Sequence, residues 1–409
     1  MNSIINHLSS LAESCHCGYD HHKLTVEKVV IEPHAIKHMA EFCKGKGMGQ
    51  VVLVADERTY AAAGQLVKDA LDSEGIISQT CMLPGDQNGD VVADEAAIVH
   101  VLMDVPANAS AVVAIGAGTI HDIVRVVSYK MNKPFIAVPT APSVDGFNSM
   151  GAPLIIKNQK ITYQTQAPIA VFADVNVLKE APQNMVASGF GDMLGKYTSL
   201  VDWRFGHLVA GEPYCPVVAD ITKKALASCV KNVGRIAERD EEGIEILTSA
   251  LMMSGFAMSI FGRSHPASGA EHHLSHYWEM AFLKDGKRPV LHGAKVAVSS
   301  LLVTHLYKTE SAAIFSDRTA LEHLCKEEPA IKKNIKDNLK EINELFDTIP
   351  TASQLEEMLV QVRADISPDD LGIGQNLVQH SLKEAHTIRE RFTFLHFLNE
   401  YVNQVSTAH

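Results

Sequence analysis

The chain has 409 residues, of which 46% are hydrophobic and 21% charged, and we expect no apolar run long enough to span a bilayer. The formal net charge of -12 opposes binding to nucleic acid or to an anionic membrane, because both would repel the chain at long range. These properties favour an ordinary globular enzyme with a small-molecule substrate, with no nucleic-acid partner and no membrane insertion.

The N-terminus lacks the features of an exported protein, since residues 1–12 have neither a basic segment nor an apolar segment of signal-peptide type. The cysteines are odd in number, and most lie far apart, without the dense spacing of a disulfide scaffold. The scattered ones are Cys43, Cys81, Cys215, Cys229 and Cys325. We therefore expect a protein of the reducing cytoplasm.

A short segment near the N-terminus is rich in cysteine and histidine. It contains Cys15, His16, Cys17, His21 and His22. Such side chains can bind zinc, but the two cysteines are closer than in the usual C-x2-C arrangement, and no later cysteine pair completes a ligand set. The favoured interpretation is a mobile N-terminal segment, and a second metal site is the alternative.

Up to about residue 180, short β-rich runs alternate with helical patterns. This alternation predicts a parallel sheet with helices on its faces. Two further runs on either side of Asn158 predict a hairpin. The predicted strands are residues 51–55, 77–83, 111–115 and 135–138, the predicted helices are 60–74 and 95–103, and the predicted hairpin strands are 153–157 and 161–164.

Beyond about residue 182 the pattern changes to long helical segments rich in Ala, Leu, Met, Lys and Glu. We therefore predict an α/β domain with a parallel sheet over residues 1–180 and an all-α domain over residues 181–409. The candidate nucleotide-binding residues fall in the first domain and the candidate metal ligands in the second. Catalysis would take place in the cleft between them.

The predicted strand 111–115 leads directly into a glycine turn and the start of a helix, in residues 116–122. The backbone N–H groups of such a turn can hold a pyrophosphate. His121 stands where the third glycine of the usual dinucleotide fingerprint would be. The alternative is a tight strand-to-helix turn that needs glycine only for its backbone angles.

Two other polar positions follow predicted strands, at the edge where open α/β sheets bind ligands. The loop 139–146 presents two hydroxyls and a carboxylate, although a proline-stiffened loop is the simpler interpretation. Asp56 could accept hydrogen bonds from an adenosine ribose and would repel a 2′-phosphate, which favours NAD over NADP. As an alternative, Asp56 could merely open the next helix.

Three residues of the helical part can build one metal centre: Asp192, His272 and His292. One carboxylate and two imidazoles would hold a divalent cation, and three protein ligands leave coordination positions open for a substrate, as in catalytic sites. This ligand set accommodates Zn, Ni or Fe. The order Glu271 before His272 is not that of the zinc-protease motif H-E-x-x-H, which removes the main support for a protease.

These motifs resemble those of the sn-glycerol-1-phosphate dehydrogenases in their bacterial form, and the resemblance covers nearly the whole chain. It rests on residues 116–122, 139–146, 189–196, 268–276 and 292–295. The resemblance places the chain near the iron-dependent alcohol dehydrogenases and glycerol dehydrogenases. It implies an N-terminal Rossmann-like domain, a helical C-terminal domain and reversible reduction of dihydroxyacetone phosphate to sn-glycerol 1-phosphate by NADH or NADPH.

The resemblance also implies roles for individual residues. Asp192, His272 and His292 would bind one divalent metal ion, while Asp145, Asp192 and His276 would face the substrate. NAD would be the cofactor, with NADP possible. The implied cofactor contacts are Asp56, Gly116, Gly118, Thr119, Ile120, His121, Asp122, Thr140, Ala141, Pro142, Ser143 and Ser149.

Other functions are compatible with the same residues. A metal-dependent glycerol or polyol dehydrogenase would differ only in not recognising a phosphate, for which Lys196, Arg263 and Lys295 are candidate partners. A dehydroquinate-synthase-like lyase would use NAD and metal without net redox change, and a nucleotide-binding sensor would not turn over at all. For the favoured function we expect a phosphorylated triose as substrate and a homo-oligomer, with a dimer favoured.

Overall fold

A parallel sheet forms the frame of the first part of the chain. The structure is a computed structural model and describes residues 2–316 and 328–402. Within these residues the sheet has the order β1-β8-β5-β4-β2-β3, and β6 and β7 form a separate antiparallel hairpin. The strands are β1 Lys28–Glu32, β2 Gln50–Ala55, β3 Ile77–Met82, β4 Ala111–Gly116, β5 Phe135–Pro139, β6 Gly151–Ile156, β7 Gln159–Gln164 and β8 Ala170–Asp174.

The predicted α/β class is confirmed, and the four predicted strands of the sheet agree with β2, β3, β4 and β5 to within one residue. The predicted hairpin is β6 with β7. The prediction did not include β1 or β8, which pair with each other in parallel.

The helices lie on both faces of the sheet and then make up the rest of the described chain, with short 3-10 or π turns between some of them. Those of the first part are α1 Asn2–Glu13, α2 Ala35–Gly45, α3 Glu57–Thr59, α4 Gln65–Ser73, α5 Glu95–Asp104, α6 Gly118–Lys130 and α7 Val175–Leu178. The helical part contains α8 Gln183–Leu194, α9 Lys196–Ala210, α10 Pro216–Lys231, α11 Val233–Glu238, α12 Glu241–Phe261, α13 Ala270–Lys284, α14 His292–Ser316, α15 Pro329–Asp337, α16 Leu339–Asp347, α17 Ala352–Gln361, α18 Gln375–Glu384 and α19 Phe394–Phe397.

The carboxyl ends of β2, β4 and β5 meet at one edge of the sheet. Gly116 at the end of β4 is in register with Pro139 at the end of β5, and β2 pairs with β4 on the other side. Each of these strands is followed by a loop that carries polar groups. The parallel topology therefore brings Asp56, the turn before α6 and the loop after β5 to the same edge, as expected for an open α/β sheet.

Helices α8 and α14 approach each other closely because small residues line their contact. A Cβ on Gly293 would lie 1.9 Å from the backbone oxygen of Ser188, and a Cβ on Gly191 would lie 2.7 Å from the Cβ of Ala297. Any larger side chain would hold the two helices apart. This contact sets Asp192, on α8, beside His292, which begins α14.

One hydrophobic cluster joins the sheet to the helical part. It includes Val171 and Ala173 of β8 together with Phe190 of α8 and Leu251 and Phe256 of α12, all with little or no exposed surface. Other clusters cover the opposite face of the sheet and the side beneath α5 and α6. The boundary at residue 180 stays a prediction, because apolar packing is continuous across it.

The expectation that no segment is apolar enough to cross a membrane needs correction for α12. Glu241–Phe261 has the length and composition of a membrane-spanning helix, with a mean hydropathy of 1.6 over its most apolar window. That window is 72% buried inside the protein. Because the core helix of a globular protein has the same properties, α12 is explained by its place in the hydrophobic cluster.

Candidate metal and nucleotide site

The three predicted metal ligands meet beside one cavity. Asp192 lies in the last turn of α8, His272 in the first turn of α13, and His292 at the start of α14. One ligand atom from each lies within 4.8 Å of the others, and Asp192 Oδ1 is 3.5 Å from His272 Nε2. Both imidazoles line the cavity. This donor set, with one side open to the cavity, fits a divalent cation of catalytic type.

The ring of His272 is held by the carboxylate next to it in the chain. His272 Nδ1 lies 2.7 Å from Glu271 Oε1, and Glu271 also accepts hydrogen bonds from the Thr198 hydroxyl and the Gly269 N–H, both at 2.6 Å. A carboxylate that accepts the Nδ1 proton leaves the Nε2 lone pair for a metal. Sequence reasoning used Glu271 only to exclude a protease motif. Its position identifies it as the group that orients His272.

The neighbouring His273 has a different environment. It is fully buried, and neither of its ring nitrogens has a hydrogen-bond partner among the described residues. Burial, followed by the nearby Arg389, lowers the pKa of His273 well below the ordinary value, so the ring is neutral. His273 does not line the cavity. Its position agrees with the choice of His272 as the candidate ligand.

Lys196 lies between two aspartates with no exposure to solvent. Its Nζ is 2.9 Å from Asp192 Oδ1 and 2.8 Å from Asp145 Oδ2. The Asp145 N–H also donates to Asp192 Oδ2 at 2.9 Å. Burial alone would raise the pKa of Asp192, but the Lys196 ammonium and the His272 hydrogen bond lower it, so this carboxylate is ionised. The candidate role of Lys196 as a phosphate partner is therefore wrong, because both of its neighbours are carboxylates and it is closed off from the cavity.

His276 lies one turn after His272 and also lines the cavity. Its ring centre is 5.7 Å from that of His292, and Arg389 Nη2 lies 3.1 Å from its Nδ1. A guanidinium can only donate hydrogen bonds, so His276 Nδ1 is the acceptor and Nε2 carries the proton. Burial and the charge of Arg389 lower the pKa of His276 well below the ordinary value.

The charged groups of the cavity that sequence reasoning missed include Lys160, Glu279 and Arg389. Glu279 forms ion pairs with Lys160 at 2.6 Å and with Lys295 at 3.0 Å. Arg389 donates to the Ser264 hydroxyl, and among the described residues no carboxylate lies within ion-pair distance of it. These groups come from β7, α13 and the segment after α18, and no sequence rule relates positions so far apart.

The turn before α6 has the form expected of an anion site. Ala117 occupies the N-cap of α6 and has no side-chain oxygen to cap the helix, so the first N–H groups of α6 have no capping partner. Gly118 and Thr119 line the cavity. Of the other predicted contacts, Ile120 and His121 are buried and do not line it, and His121 Nδ1 bonds to the Ala117 carbonyl at 2.8 Å.

The remaining predicted cofactor contacts lie along the same cavity, except that Gly116 and Pro142 do not line it. Asp56 caps α3 by accepting from the Thr59 N–H at 2.7 Å, and it also lines the cavity, so both interpretations of this residue are compatible with its position. The lining predicted contacts are Asp56, Gly118, Thr119, Asp122, Thr140, Ala141, Ser143 and Ser149.

A buried arginine holds the loop between β5 and β6 against α6. Arg125 pairs with Asp122 at 2.5 Å and donates to the carbonyl oxygens of Gly151, Gly146 and Phe147. Arg125 has no exposed surface. The loop that carries Asp145 and Ser149 is thus fixed to the helix that begins at the glycine turn. Sequence reasoning missed this residue, although the spacing of Asp122 and Arg125 by three positions in a helix was a usable signal.

One cavity of about 1500 Å³ joins the candidate metal centre to the candidate nucleotide site. It runs from Asp56 and the start of α6 to His272, His276 and His292. Its volume exceeds that of a typical small-ligand pocket, which is roughly 300–1,000 Å³. The cavity therefore has room for a dinucleotide and a small substrate side by side.

Comparisons with known proteins agree with this arrangement. The sequence profile described as iron-containing alcohol dehydrogenase matches residues 30–182. The chain is 47% identical to a glycerol-1-phosphate dehydrogenase (NAD(P)+) of Geobacillus stearothermophilus, over 98% of this chain and 99% of the relative. It is 39% identical to the protein of the same name from Bacillus subtilis (strain 168), over 92% of each chain.

Solved structures show the same fold at low identity. The glycerol dehydrogenase of Schizosaccharomyces pombe aligns with a TM-score of 0.64 and 18% identity, over 95% of this chain and 88% of that one. The sulfoacetaldehyde reductase of Bifidobacterium kashiwanohense, solved in complex with NAD+, aligns with a TM-score of 0.64 and 13% identity, over 93% of this chain and 99% of that one. At these identities the similarity concerns the fold alone.

Proposed function

Because the chain belongs to the glycerol-1-phosphate dehydrogenase family, we propose that its cavity is the site where dihydroxyacetone phosphate and sn-glycerol 1-phosphate are interconverted. The chain is an oxidoreductase that depends on NAD(P) and on a divalent metal ion. The observation that supports the site is that Asp192, His272 and His292 come together at the same cavity that the open N-terminus of α6 faces.

Asp192, His272 and His292 would hold the metal, and the first N–H groups of α6 would hold the pyrophosphate of the cofactor. When bound, the metal supplies Lewis-acid polarisation of the ketone and the nicotinamide supplies the hydride. Glu271 keeps the Nε2 lone pair of His272 directed towards Asp192. Lys196 keeps Asp192 ionised at any pH in the physiological range.

His276 is the group that can donate a hydrogen bond to the substrate. Its Nε2 carries the proton because Nδ1 accepts from Arg389. The reduction of a ketone needs one proton at the oxygen that becomes the hydroxyl. The neutral ring of His276 would hold that oxygen by its Nε2–H, and the proton would come from solvent in the cavity. Asp145 is less available for this role, since Lys196 and Ser254 both bond to its Oδ2.

The phosphate of the substrate would lie beside Arg389. This guanidinium borders the cavity next to His276, and no carboxylate neutralises it among the described residues. Lys160 and Lys295 share Glu279 and contribute a second region of positive charge. A guanidinium without an acidic partner can pair a phosphate in bidentate fashion, whereas both lysines already have one.

The cofactor site favours NAD while leaving NADP possible. Asp56 lies at the carboxyl end of β2 and borders the cavity, where its carboxylate would bond to a ribose and repel a 2′-phosphate. Thr140, Ser143 and Ser149 supply further polar groups along the same wall. These assignments rest on position beside the cavity and on side-chain chemistry.

We further propose that the protein works in the cytoplasm as a homodimer. Its scattered cysteines, which lack the dense spacing of a disulfide scaffold, support a reducing compartment. Light scattering on the purified chain would measure the oligomeric state. Fractionation of the source cells would determine the compartment. A mass of one chain in solution would exclude the dimer.

The decisive experiment is NADH oxidation by the metal-loaded protein with dihydroxyacetone phosphate, dihydroxyacetone and glyceraldehyde 3-phosphate as alternative substrates. We expect a preference of about a hundredfold in kcat/KM for dihydroxyacetone phosphate over dihydroxyacetone, or ~3 kcal/mol. Arg389→Ala should remove most of this preference. The rate with dihydroxyacetone should fall as well, but by less, because this variant also removes the hydrogen bond that fixes the ring of His276. Equal use of both ketones by the unmodified chain, or a product of sn-glycerol 3-phosphate configuration, would contradict the proposal.

A further inference from the structure

Four side chains with metal-binding atoms, none of which lines the catalytic cavity, meet at the N-terminal end of α10. They are Cys15, Cys17 and His21 from the segment after α1 and Cys215 from the residue before α10. One ligand atom from each lies within 4.8 Å of the others. We propose that these four residues bind a structural zinc ion, independently of the site at Asp192.

Three of the six distances between the ligand atoms match those of a tetrahedral site, and the other three are within 4.8 Å. The Sγ atoms of Cys15 and Cys215 are 3.6 Å apart, and His21 Nε2 lies 3.4 Å from the Sγ of both Cys17 and Cys215. Zinc–sulfur bonds of about 2.3 Å and zinc–nitrogen bonds of about 2.0 Å place the corners of a tetrahedron roughly 3.5–3.8 Å apart. The four atoms therefore need little movement to close around an ion.

The chemistry of the four ligands separates this site from the catalytic one. Three cysteines and one histidine form a closed, sulfur-rich set, which is the composition of structural zinc sites. Asp192, His272 and His292 form an open set without sulfur. None of these four ligands lines the cavity. An ion in the Cys15 site would have no position left for a substrate.

The start of α10 holds the sulfur of Cys215 in place. Cys215 is the N-cap of α10, and its Sγ accepts the N–H of Val218 at 3.4 Å. The thiolate is the form of cysteine that binds metal. Zinc binding would release the three thiol protons to water and needs no oxidant, because the sulfur atoms keep their oxidation state.

The segment that carries the ligands is packed against the helical part, in contrast to the favoured interpretation of a mobile N-terminus. The N–H of His22 bonds to the carbonyl of Ile260 at 2.9 Å, and the His22 ring lies against Gly262. Before it, Ile5 and Leu8 of α1 belong to the cluster that joins sheet and helices. The zinc ion would link this segment to α10. Cys215 completes the ligand set, for which the sequence offers no later cysteine pair.

Metal content tests the proposal directly. Protein purified under reducing conditions and loaded with zinc should contain two ions per chain, and Asp192→Asn should retain one. In the Asp192→Asn background, Cys17→Ser or His21→Ala should lose the remaining ion. His16→Ala is the matched control, because it removes a neighbouring exposed histidine outside the cluster and should retain the ion.

Cobalt substitution identifies the ligands by spectroscopy. Of the two proposed sites, the Cys15 site alone can give sulfur-to-cobalt charge-transfer bands, since the Asp192 site has no sulfur ligand. The loss of the bands in Cys17→Ser distinguishes them from any that cobalt bound near Cys81 would give. We expect these bands in the unmodified chain, in Asp192→Asn and in His16→Ala, and their loss in Cys17→Ser. Should the cysteine variants fail to fold, p-hydroxymercuribenzoate added to the unmodified chain should release one zinc ion, measured with a chromogenic chelator.

Three results would overturn the proposal. A chain that takes up a single ion, lost entirely in Asp192→Asn, would leave the Cys15 cluster without metal. Cobalt protein without sulfur charge-transfer bands would exclude thiolate ligands. A disulfide between Cys15 and Cys215 in freshly isolated protein, detected by mass spectrometry without reduction, would replace the zinc ion with a covalent link. None of these results bears on the proposed dehydrogenase activity. That activity is assayed by NADH oxidation and depends on the metal site at Asp192.

Discussion

Lys196 is held between Asp145 and Asp192 without exposure to water. The ammonium of Lys196 compensates for the removal of two carboxylates from solvent. The three buried charges therefore stabilise the fold only when all three are present. The aspartates raise the pKa of Lys196 against the opposing effect of its burial. The same pairing keeps Asp192 ionised, which is the form a metal ligand needs.

Lys196→Met should destabilise the metal-free protein by about 3–5 kcal/mol, since it leaves buried carboxylates without a partner. Urea unfolding at neutral pH measures this change. Lys224→Met is a matched control, because Lys224 pairs with Asp220 at the same four-residue spacing in an exposed part of α10, and its loss should have no measurable effect. Equal stability of the Lys196 variant would mean that a proton has replaced the ammonium.

His272 and His273 are adjacent in the chain but should respond in opposite ways to replacement. His272→Ala should lose the catalytic metal, because it removes an imidazole beside Asp192 and His292. His273→Ala should keep that metal, because this ring lies in the core. Metal content of the two variants, counted apart from any ion at Cys15, decides the assignment. The reverse pattern would exchange the roles of the two residues.

Residue chemistry pointed to Asp192, His272 and His292 as one cluster, and the structure brings these side chains together. Each of them stands in a short segment dense in polar groups. Residue chemistry and spacing did not predict Arg389, Lys160 or Glu279, whose proximity depends on how β7, α13 and the segment after α18 come together. They also misjudged Lys196, since a sequence does not show which side of a helix is closed by other elements. Tertiary packing decides which cations remain open to a ligand.

At the scale of elements, the contact of α8 with α14 determines whether the metal ligands can meet. Gly293→Ala would place a Cβ 1.9 Å from the backbone oxygen of Ser188, so the two helices must separate. We expect a loss of about 1–3 kcal/mol in stability from the overpacking. We also expect roughly a hundredfold loss of kcat, because His292 moves with its neighbour.

Steady-state kinetics and urea unfolding of the Gly293→Ala variant test this expectation. Gly374→Ala is the control, because a Cβ there meets no atom within 4 Å and the residue has a negative φ. Unchanged kcat in Gly293→Ala would show that the ligands tolerate a wider separation of the helices.

The strand predictions succeeded where an apolar run ended in a turn signal, as in β4 with its glycine turn and β5 with its proline loop. The edge strand β1 carries Lys28 and Glu32 at its ends and has little of the continuous apolar character of a buried strand. The predicted helix at residues 60–74 begins three residues earlier, at Glu57, and passes through a π-helical turn at Tyr60–Gly64. A single period of apolar spacing does not predict such a change in winding.

At the scale of the whole molecule, the proposed positions of the cofactor and of the metal lie at different parts of one cavity. NADH at a hundred times its dissociation constant should therefore stabilise the protein by about 2.7 kcal/mol, both in the unmodified chain and in Asp192→Asn. Gly118→Val should lose this effect, because its side chain would crowd the backbone at the start of α6 and meet Val144. Thermal unfolding with and without NADH measures the three responses. Loss of the effect in Asp192→Asn would mean that metal and cofactor binding are coupled.

The hydrophobic cluster that includes β8, α8 and α12 determines whether the two parts of the chain can be produced as separate fragments. A fragment ending at residue 180 would expose Val171 and Ala173 to water, and the complementary fragment would expose Phe190, Leu251 and Phe256. Neither fragment could cover these surfaces by itself. We expect each to aggregate when expressed alone and to be recovered in the supernatant only when both are produced in the same cell.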